Sequence, residues 1–286
     1  MNANHKLNVV LFALTGFGNS VLEALLEVSQ VSVSAVFTVR YTNPFPHYEE
    51  QPLHALCAER GVACFTDMRV SSDAGIALLR QHSPDLIIVA TFKQILAQNV
   101  LCLPRLGVVN LHPSLLPRYR GPCPTNAALL NDDEYTGVTA HYVTEKLDEG
   151  DILLQRSISI RDVVDDGQLR QVLAKLAGQM VPDLIGMFDG FVKPVGVPQD
   201  HRLASHAPRP TVEDGHLELA TDIQTICNKV RAFNPLPGTS LLVANARIAV
   251  DRAECFQSDN CDGLCDHGDY LELVVNSQAI KLHKRL

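Results

Sequence analysis

Between residues 8 and 110, short apolar, β-branched runs alternate with amphipathic stretches, and this alternation constrains the fold more than any other feature of the chain. Residues 8–14, 31–39, 62–65, 85–91 (Asp-Leu-Ile-Ile-Val-Ala-Thr) and 106–110 read as strands, whereas residues 21–28, 53–60 and 74–81 carry helical apolar faces. Near-continuous apolar strands separated by helices predict a mostly parallel, Rossmann-like α/β sheet with helices on both faces. In such sheets ligands bind beyond the carboxyl ends of the strands. A further run at 137–143 and a helical pattern through Leu169, Val172, Leu173, Leu176 and Met180 complete a block that closes near residue 190.

From 191 to 210 the chain turns to Pro, His and Arg without periodicity, which reads as a linker. A short helix over 221–233 and strand-like runs at 241–244, 248–251 and 270–275 follow. The expected organisation is a catalytic domain at 1–190, a linker at 191–210 and a small α+β, OB-like, shortened domain at 211–286.

Of the 286 residues, 46% are hydrophobic and 20% charged, which excludes a collagenous, low-complexity or largely disordered chain. With 24 basic and 32 acidic side chains the formal charge is −8, so no global field draws nucleic acid or anionic lipid. Eight cysteines without a CxxC pair suit free thiols in a reducing compartment, and the expected location is the cytoplasm. The first apolar run, residues 7–14, ends at Thr15-Gly16-Phe17-Gly18 and is too short for a membrane span; a signal peptide is not expected.

Gly16-Phe17-Gly18 follows the first strand, but Val21 stands where a dinucleotide fingerprint needs its third glycine, and no GxxxxGK[ST] loop occurs. The stretch Asn110-Leu-His112-Pro-Ser114-Leu-Leu-Pro117-Arg118-Tyr-Arg120-Gly121 differs in kind. Two polar side chains at i and i+2 share one side of a strand end, and the prolines and glycine after them fix a loop. Local backbone contacts alone would also account for such a pair. Asp148, after the next strand-like run, is placed to reach the same sheet edge and to favour a charged His112. Asn, His and Asp supply an amide donor for an oxyanion, a group titrating near neutrality, and its orienter, a set that suits direct acyl transfer. Ser114 lies in SLLP rather than in a GxSxG elbow. Cys255, Cys261, Cys265 and His267 match no usual zinc spacing, so no metal is assigned.

The run NLHPSLLPRYRGPCPTNAALLNDDEYTGVTAHYVTEKLDEGDILLQ, with PDLIIVATFKQIL upstream, resembles the folate-dependent formyltransferases over roughly residues 7–190. Residues 209–220 and the Val230-Arg-Ala-Phe-Asn-Pro segment resemble the linker and C-terminal domain of its methionyl-tRNA and nucleotide-sugar branches. The resemblance implies Asn110, His112 and Asp148 as the catalytic set and N10-formyltetrahydrofolate as formyl donor. It places the pterin against Phe92, Gln94, Ile95 and Leu96 and against the segment holding Val143 and Glu145. It further implies a primary-amine acceptor, an oxyanion held by Asn110 and a protonated His112, and Asp148 as orienter and aid to a water that shuttles the amine proton. Neither a metal nor a covalent intermediate is implied.

The acceptor is read from departures. Where the tRNA enzymes resemble one another in a basic, glycine-rich insert, this chain has Arg40-Tyr-Thr-Asn-Pro-Phe-Pro-His-Tyr-Glu-Glu50. An aromatic loop with an acidic end repels phosphate backbone, so a small amine is expected, foremost an amino sugar carried on a nucleotide. Tyr41, Phe45 and Tyr48 suit stacking on a sugar or base, or simple loop packing. Arg118 and Arg120 suit an anionic part of the acceptor, or ion pairs that anchor their own loop. The alternatives are a methionyl-tRNA formyltransferase, a formyltetrahydrofolate hydrolase, an enzyme formylating an amino acid or peptide, and a catalytically silent folate binder; a homodimer is left open.

Overall fold

The computed structural model describes residues 6–41, 51–189, 192–219, 222–257, 263–275 and 278–285. By contacts the chain falls into two compact units, residues 1–121, 136–158 and 170–206 in one and 122–135, 159–169 and 207–286 in the other. Composition draws boundaries at 190 and 210; contacts gather the chain by space instead of by order.

The first unit is built on β1 (Leu7–Ala13), α1 (Phe17–Glu27), β2 (Val31–Thr38), α2 (Leu53–Glu59), β3 (Cys64–Thr66), α3 (Asp73–His82), β4 (Leu86–Ala90), α4 (Gln98–Leu101) and β5 (Val108–His112). Past α5 (Pro124–Leu130), which belongs to the other unit, come β6 (Tyr135–Tyr142) and β7 (Ile152–Ser159), then α6 (Asp166–Gly186). The seven strands run β3-β2-β1-β4-β5-β6-β7 across the sheet. β1 pairs in parallel with β2 and β4, β2 with β3 and β4 with β5, while β5 and β6 are antiparallel. The mostly parallel sheet expected from the alternation is the one observed. All five residues of β4 are buried, as an apolar strand covered on both faces requires.

Local chemistry sets the element ends. The Ser72 hydroxyl caps α3 by accepting from the Gly75 N–H at 3.2 Å, and Ser83 ends the same helix in the left-handed region at φ 44°. A Cβ on Gly18 would stand 2.5 Å from that of Ala13, so glycine is what lets α1 close on β1. Phe12 lies at the centre of the packing, 5.2 Å from both the Phe37 and Phe92 rings. β7 was not foreseen from sequence.

In the second unit α7 (Ile223–Phe233) accompanies β8 (Thr239–Val243), β9 (Ala246–Gln257), β10 (Gly263–Asp266), β11 (Tyr270–Val275) and β12 (Gln278–Lys284). These form a five-stranded sheet in the order β10-β11-β12-β9-β8, antiparallel at every junction. The runs expected at 241–244, 248–251 and 270–275 lie in β8, β9 and β11; β10 was not expected because its four residues are largely exposed, and β12 because Lys281 and His283 interrupt its apolar residues. Ile226, Val230, Leu241, Val250, Leu271, Ile280 and Leu282 form its core. The expectation of free thiols fails at one pair: Cys227 of α7 and Cys255 of β9 form a disulfide. Cys255 is therefore unavailable to the Cys/His group of the tail, and Cys261 lies outside the described residues.

Candidate active site

Asn110 and His112 occupy alternate positions at the carboxyl end of β5, so both project to one side of the sheet. The register with β6 sets His141 opposite Asn110 and Thr139 opposite His112. Asp148 enters from the turn after β6 with a left-handed backbone, φ 53°, a conformation that aspartate tolerates better than most residues. Its carboxylate is 10% exposed and lies between the two imidazoles. Oδ2 is 3.7 Å from His112 Nδ1 and Oδ1 is 3.6 Å from His141 Nε2. The Gly121 N–H donates to Oδ2 at 2.8 Å, and the Asn110 amide nitrogen lies 3.5 Å from Oδ1.

Tautomers follow from the carbonyls, which only accept. His112 Nε2–H donates to the Tyr119 carbonyl at 2.9 Å, leaving Nδ1 toward Asp148. His141 Nδ1–H donates to the Tyr142 carbonyl at 2.9 Å, so its Nε2 accepts from the Asn110 amide at 3.2 Å. Burial pulls the His112 imidazole below its ordinary 6.5, Asp148 pulls it back and His141 adds to the fall. The resting imidazole is therefore neutral near pH 7, where the sequence reading has it protonated. For Asp148 burial acts upward, but the two imidazoles and the Gly121 N–H outweigh it and hold the carboxyl at about 2.

The loop after β5 is held from within. Ser114 is fully buried; its hydroxyl donates to the Arg118 carbonyl at 2.7 Å, and its carbonyl accepts from Thr139. A side chain so engaged is not a nucleophile. Arg120 is buried; Gln199 accepts from its guanidinium, and Glu149 lies 3.5 Å away. Arg118 is exposed, its guanidinium donating to the Tyr119 hydroxyl at 2.6 Å. Lys93 sits 4.8 Å from the Tyr41 ring centroid; Tyr48 and Phe45 lie outside the described residues.

A cavity of about 600 Å³ beside the Asp148 turn is lined by residues that include Leu101, Val143, Thr144, Glu145, Lys146 and His201. Its lining mixes apolar side chains with charged ones, Glu145, Lys146 and Glu149 among them. Of the residues expected at the pterin, Val143 and Glu145 line it. Phe92 stacks on Phe12, Leu96 is buried in the core, and the Gln94 amide holds Val70 N–H and the Met68 carbonyl. Ile95 is 84% exposed. Sequence reasoning missed His141, although its spacing from Thr139 repeats that of Asn110 and His112. It also missed Gln199, which lies among prolines without periodicity. No described group of three or more His, Cys, Asp or Glu is disposed to hold a metal.

A buried His112 with half-buried Asn110 and Asp148 at the strand ends of a mostly parallel sheet brings together an imidazole, an amide and a carboxylate, a set that suits group transfer. The formyl transferase family profile matches residues 7–185, and the chain belongs to that family, the folate-dependent formyltransferases. Among its relatives, a methionyl-tRNA formyltransferase of Syntrophus aciditrophicus is 40% identical over 169 residues, 59% of this chain and 54% of that one. Another, from Kosmotoga olearia, is 32% identical over 237 residues, 82% of this chain and 74% of that one. The chain thus spans little more than half of the first relative and about three quarters of the second. In fold it resembles the N-formyltransferase of Helicobacter canadensis solved with folinic acid and dTDP-3-aminofucose, with TM-score 0.70, 16% identity, and 97% of this chain and 99% of that one covered.

Proposed function

We propose that this chain moves the formyl group of N10-formyltetrahydrofolate to a primary amine of a small acceptor, foremost an amino sugar carried on a nucleotide. The observation that carries the transfer is the constellation of half-buried Asn110 and Asp148 about a buried, neutral His112. Val143, Glu145 and the neighbouring cavity wall would hold the donor, which supplies an electrophilic formyl carbon.

As the acceptor nitrogen bonds to that carbon and the bond to N10 breaks, the amine loses a proton and N10 gains one. Neutral His112 accepts the amine proton at Nδ1, and the resulting imidazolium is held by Asp148 on one side and the Tyr119 carbonyl on the other. Asn110 spends one amide hydrogen on His141; the second, directed at Asp148 over 3.5 Å, is free enough to meet the developing oxyanion. The Tyr119 carbonyl fixes the resting His112 ring, and Asp148 stabilises the charge that forms on it.

The small acceptor is supported by the −8 charge and by the acidic end of the 40–50 stretch. The second reading is charged initiator tRNA, favoured by the names of the two relatives. The cytoplasm is kept as the setting, to be weighed against the Cys227–Cys255 bond. Release of tetrahydrofolate in the presence of each acceptor separates the readings. Release without any acceptor would instead make the protein a hydrolase.

A further inference from the structure

We propose that Gln199 is a positioning residue of the transfer site, tying the buried Arg120 guanidinium to the backbone of the Asp148 turn and so setting where the carboxylate meets His112. The inference rests on the transfer reading above for its kinetic consequence but not for its structural one.

Gln199 is 6% exposed, and all four hydrogen-bonding positions of its amide are used. Nε2 donates to the carbonyls of Asp148 and Gly150, each at 2.8 Å. Oε1 accepts from Arg120 Nη2 at 2.7 Å and Nε at 3.1 Å. The reverse orientation of the amide would set its NH2 against a guanidinium and its oxygen against two carbonyls, so the donor side has to face the turn. Arg120 is fixed in turn, its N–H donating to the Ser205 carbonyl at 2.8 Å. Val197 and Ile152 exchange backbone hydrogen bonds of 2.8 Å, seating the Gln199 segment along the edge of β7.

The turn it grips needs holding. Asp148 sits at φ 53°, in the left-handed region that residues other than glycine enter only at a cost. Gly150 has no room for a side chain, since a Cβ there would collide with the Tyr142 carbonyl. The Gly121 N–H holds the carboxylate end of Asp148 and Gln199 holds the backbone end. Without Gln199 two carbonyls lose their donor and a buried guanidinium loses the oxygen that accepts two of its hydrogen bonds, so the turn relaxes and carries the carboxylate away from His112 Nδ1.

The ionisable groups that act on His112 are Asp148 and His141, so loss of the Asp148 contact removes its only upward charge. Gln199→Leu in the full chain without ligand should therefore lower the His112 titration, followed by NMR of the ring Cε1–H, by about one unit. Its kcat with N10-formyltetrahydrofolate and the best acceptor should fall roughly 100-fold, with the donor KM nearly unchanged. Gln199→Glu, which keeps Arg120 paired but opposes two carbonyls, covers the case in which the leucine variant fails to fold. It should lose hydrogen-exchange protection at the Gly121 amide while β1 and β4 amides keep theirs. An unmoved His112 titration in folded Gln199→Leu, or unchanged Gly121 protection in Gln199→Glu, overturns the proposal. Absence of transfer by the parent protein would defeat the transfer reading and leave the His112 shift to stand or fall alone.

Discussion

Asn110 and His141 face one another across the antiparallel β5–β6 pair, and their side chains meet at 3.2 Å. The His141 ring accepts from the Asn110 amide because its other nitrogen is committed to the Tyr142 carbonyl. The orientation of the Asn110 amide is thus decided one strand away, at His141. His141→Phe should lower kcat by about 10- to 100-fold with the donor KM little changed, since outer partners of functional groups carry effects of that order. Steady-state kinetics check it; an unaltered kcat would remove His141 from the site.

Asn110→Leu keeps the branched outline of the side chain and removes its donor. Loss of one preorganised oxyanion donor costs roughly 10²- to 10³-fold in kcat. Binding of folinic acid, measured by calorimetry, should persist in this variant.

The pH profile carries a sign. If neutral His112 takes the proton, activity falls on the acid side with the His112 titration, and burial sets that limb below the ordinary 6.5. Asp148→Asn removes the upward pull and moves the limb lower still. An acid limb above 6.5 in the parent protein would contradict proton acceptance by His112.

Stability should follow the same carboxylate. The Asp148 carboxyl is depressed from 3.8 to about 2, so its contribution is complete above about pH 4 and is lost as pH falls toward 2. The full amount is about 2 kcal/mol. Urea unfolding between pH 5 and pH 2.5 measures it, and Asp148→Asn should flatten that part of the curve. His112, held below its ordinary value, acts in the same direction at higher pH: its share is present above 6.5 and shrinks below it.

Gly150→Ala should cost activity and stability together, because the added methyl meets the Tyr142 carbonyl and displaces the Asp148 turn. A variant with the parent melting temperature and kcat would show that the turn yields freely.

Much of the fold was legible because the pairing of apolar runs with amphipathic helices is a local pattern. The buried strand Leu86–Ala90 can be read from five consecutive apolar residues. Strand β7 escaped because it is only partly buried, so its apolar residues mark no core face. The i, i+2 spacing of Asn110 and His112 was visible, whereas the partner His141 depends on a strand register that no spacing within one strand declares. Gln199 is the clearer failure. Its role comes from a segment returning to the Asp148 turn 51 residues later, and its neighbours in sequence look like a linker. The lowering of His112 was not legible for a related reason, since a carboxylate neighbour can be inferred from sequence but the depth of burial opposing it cannot.

The most direct measurement is tetrahydrofolate release from N10-formyltetrahydrofolate by the parent protein and by His112→Asn. It is followed with nucleotide-linked amino sugars, amino acids and peptides, charged initiator tRNA, and buffer alone. Release by the parent protein with an amino sugar, reduced by several orders of magnitude in His112→Asn while folinic acid still binds, is the predicted result. Equal release by both proteins would contradict the account of the site, and release with tRNA alone would contradict the small acceptor.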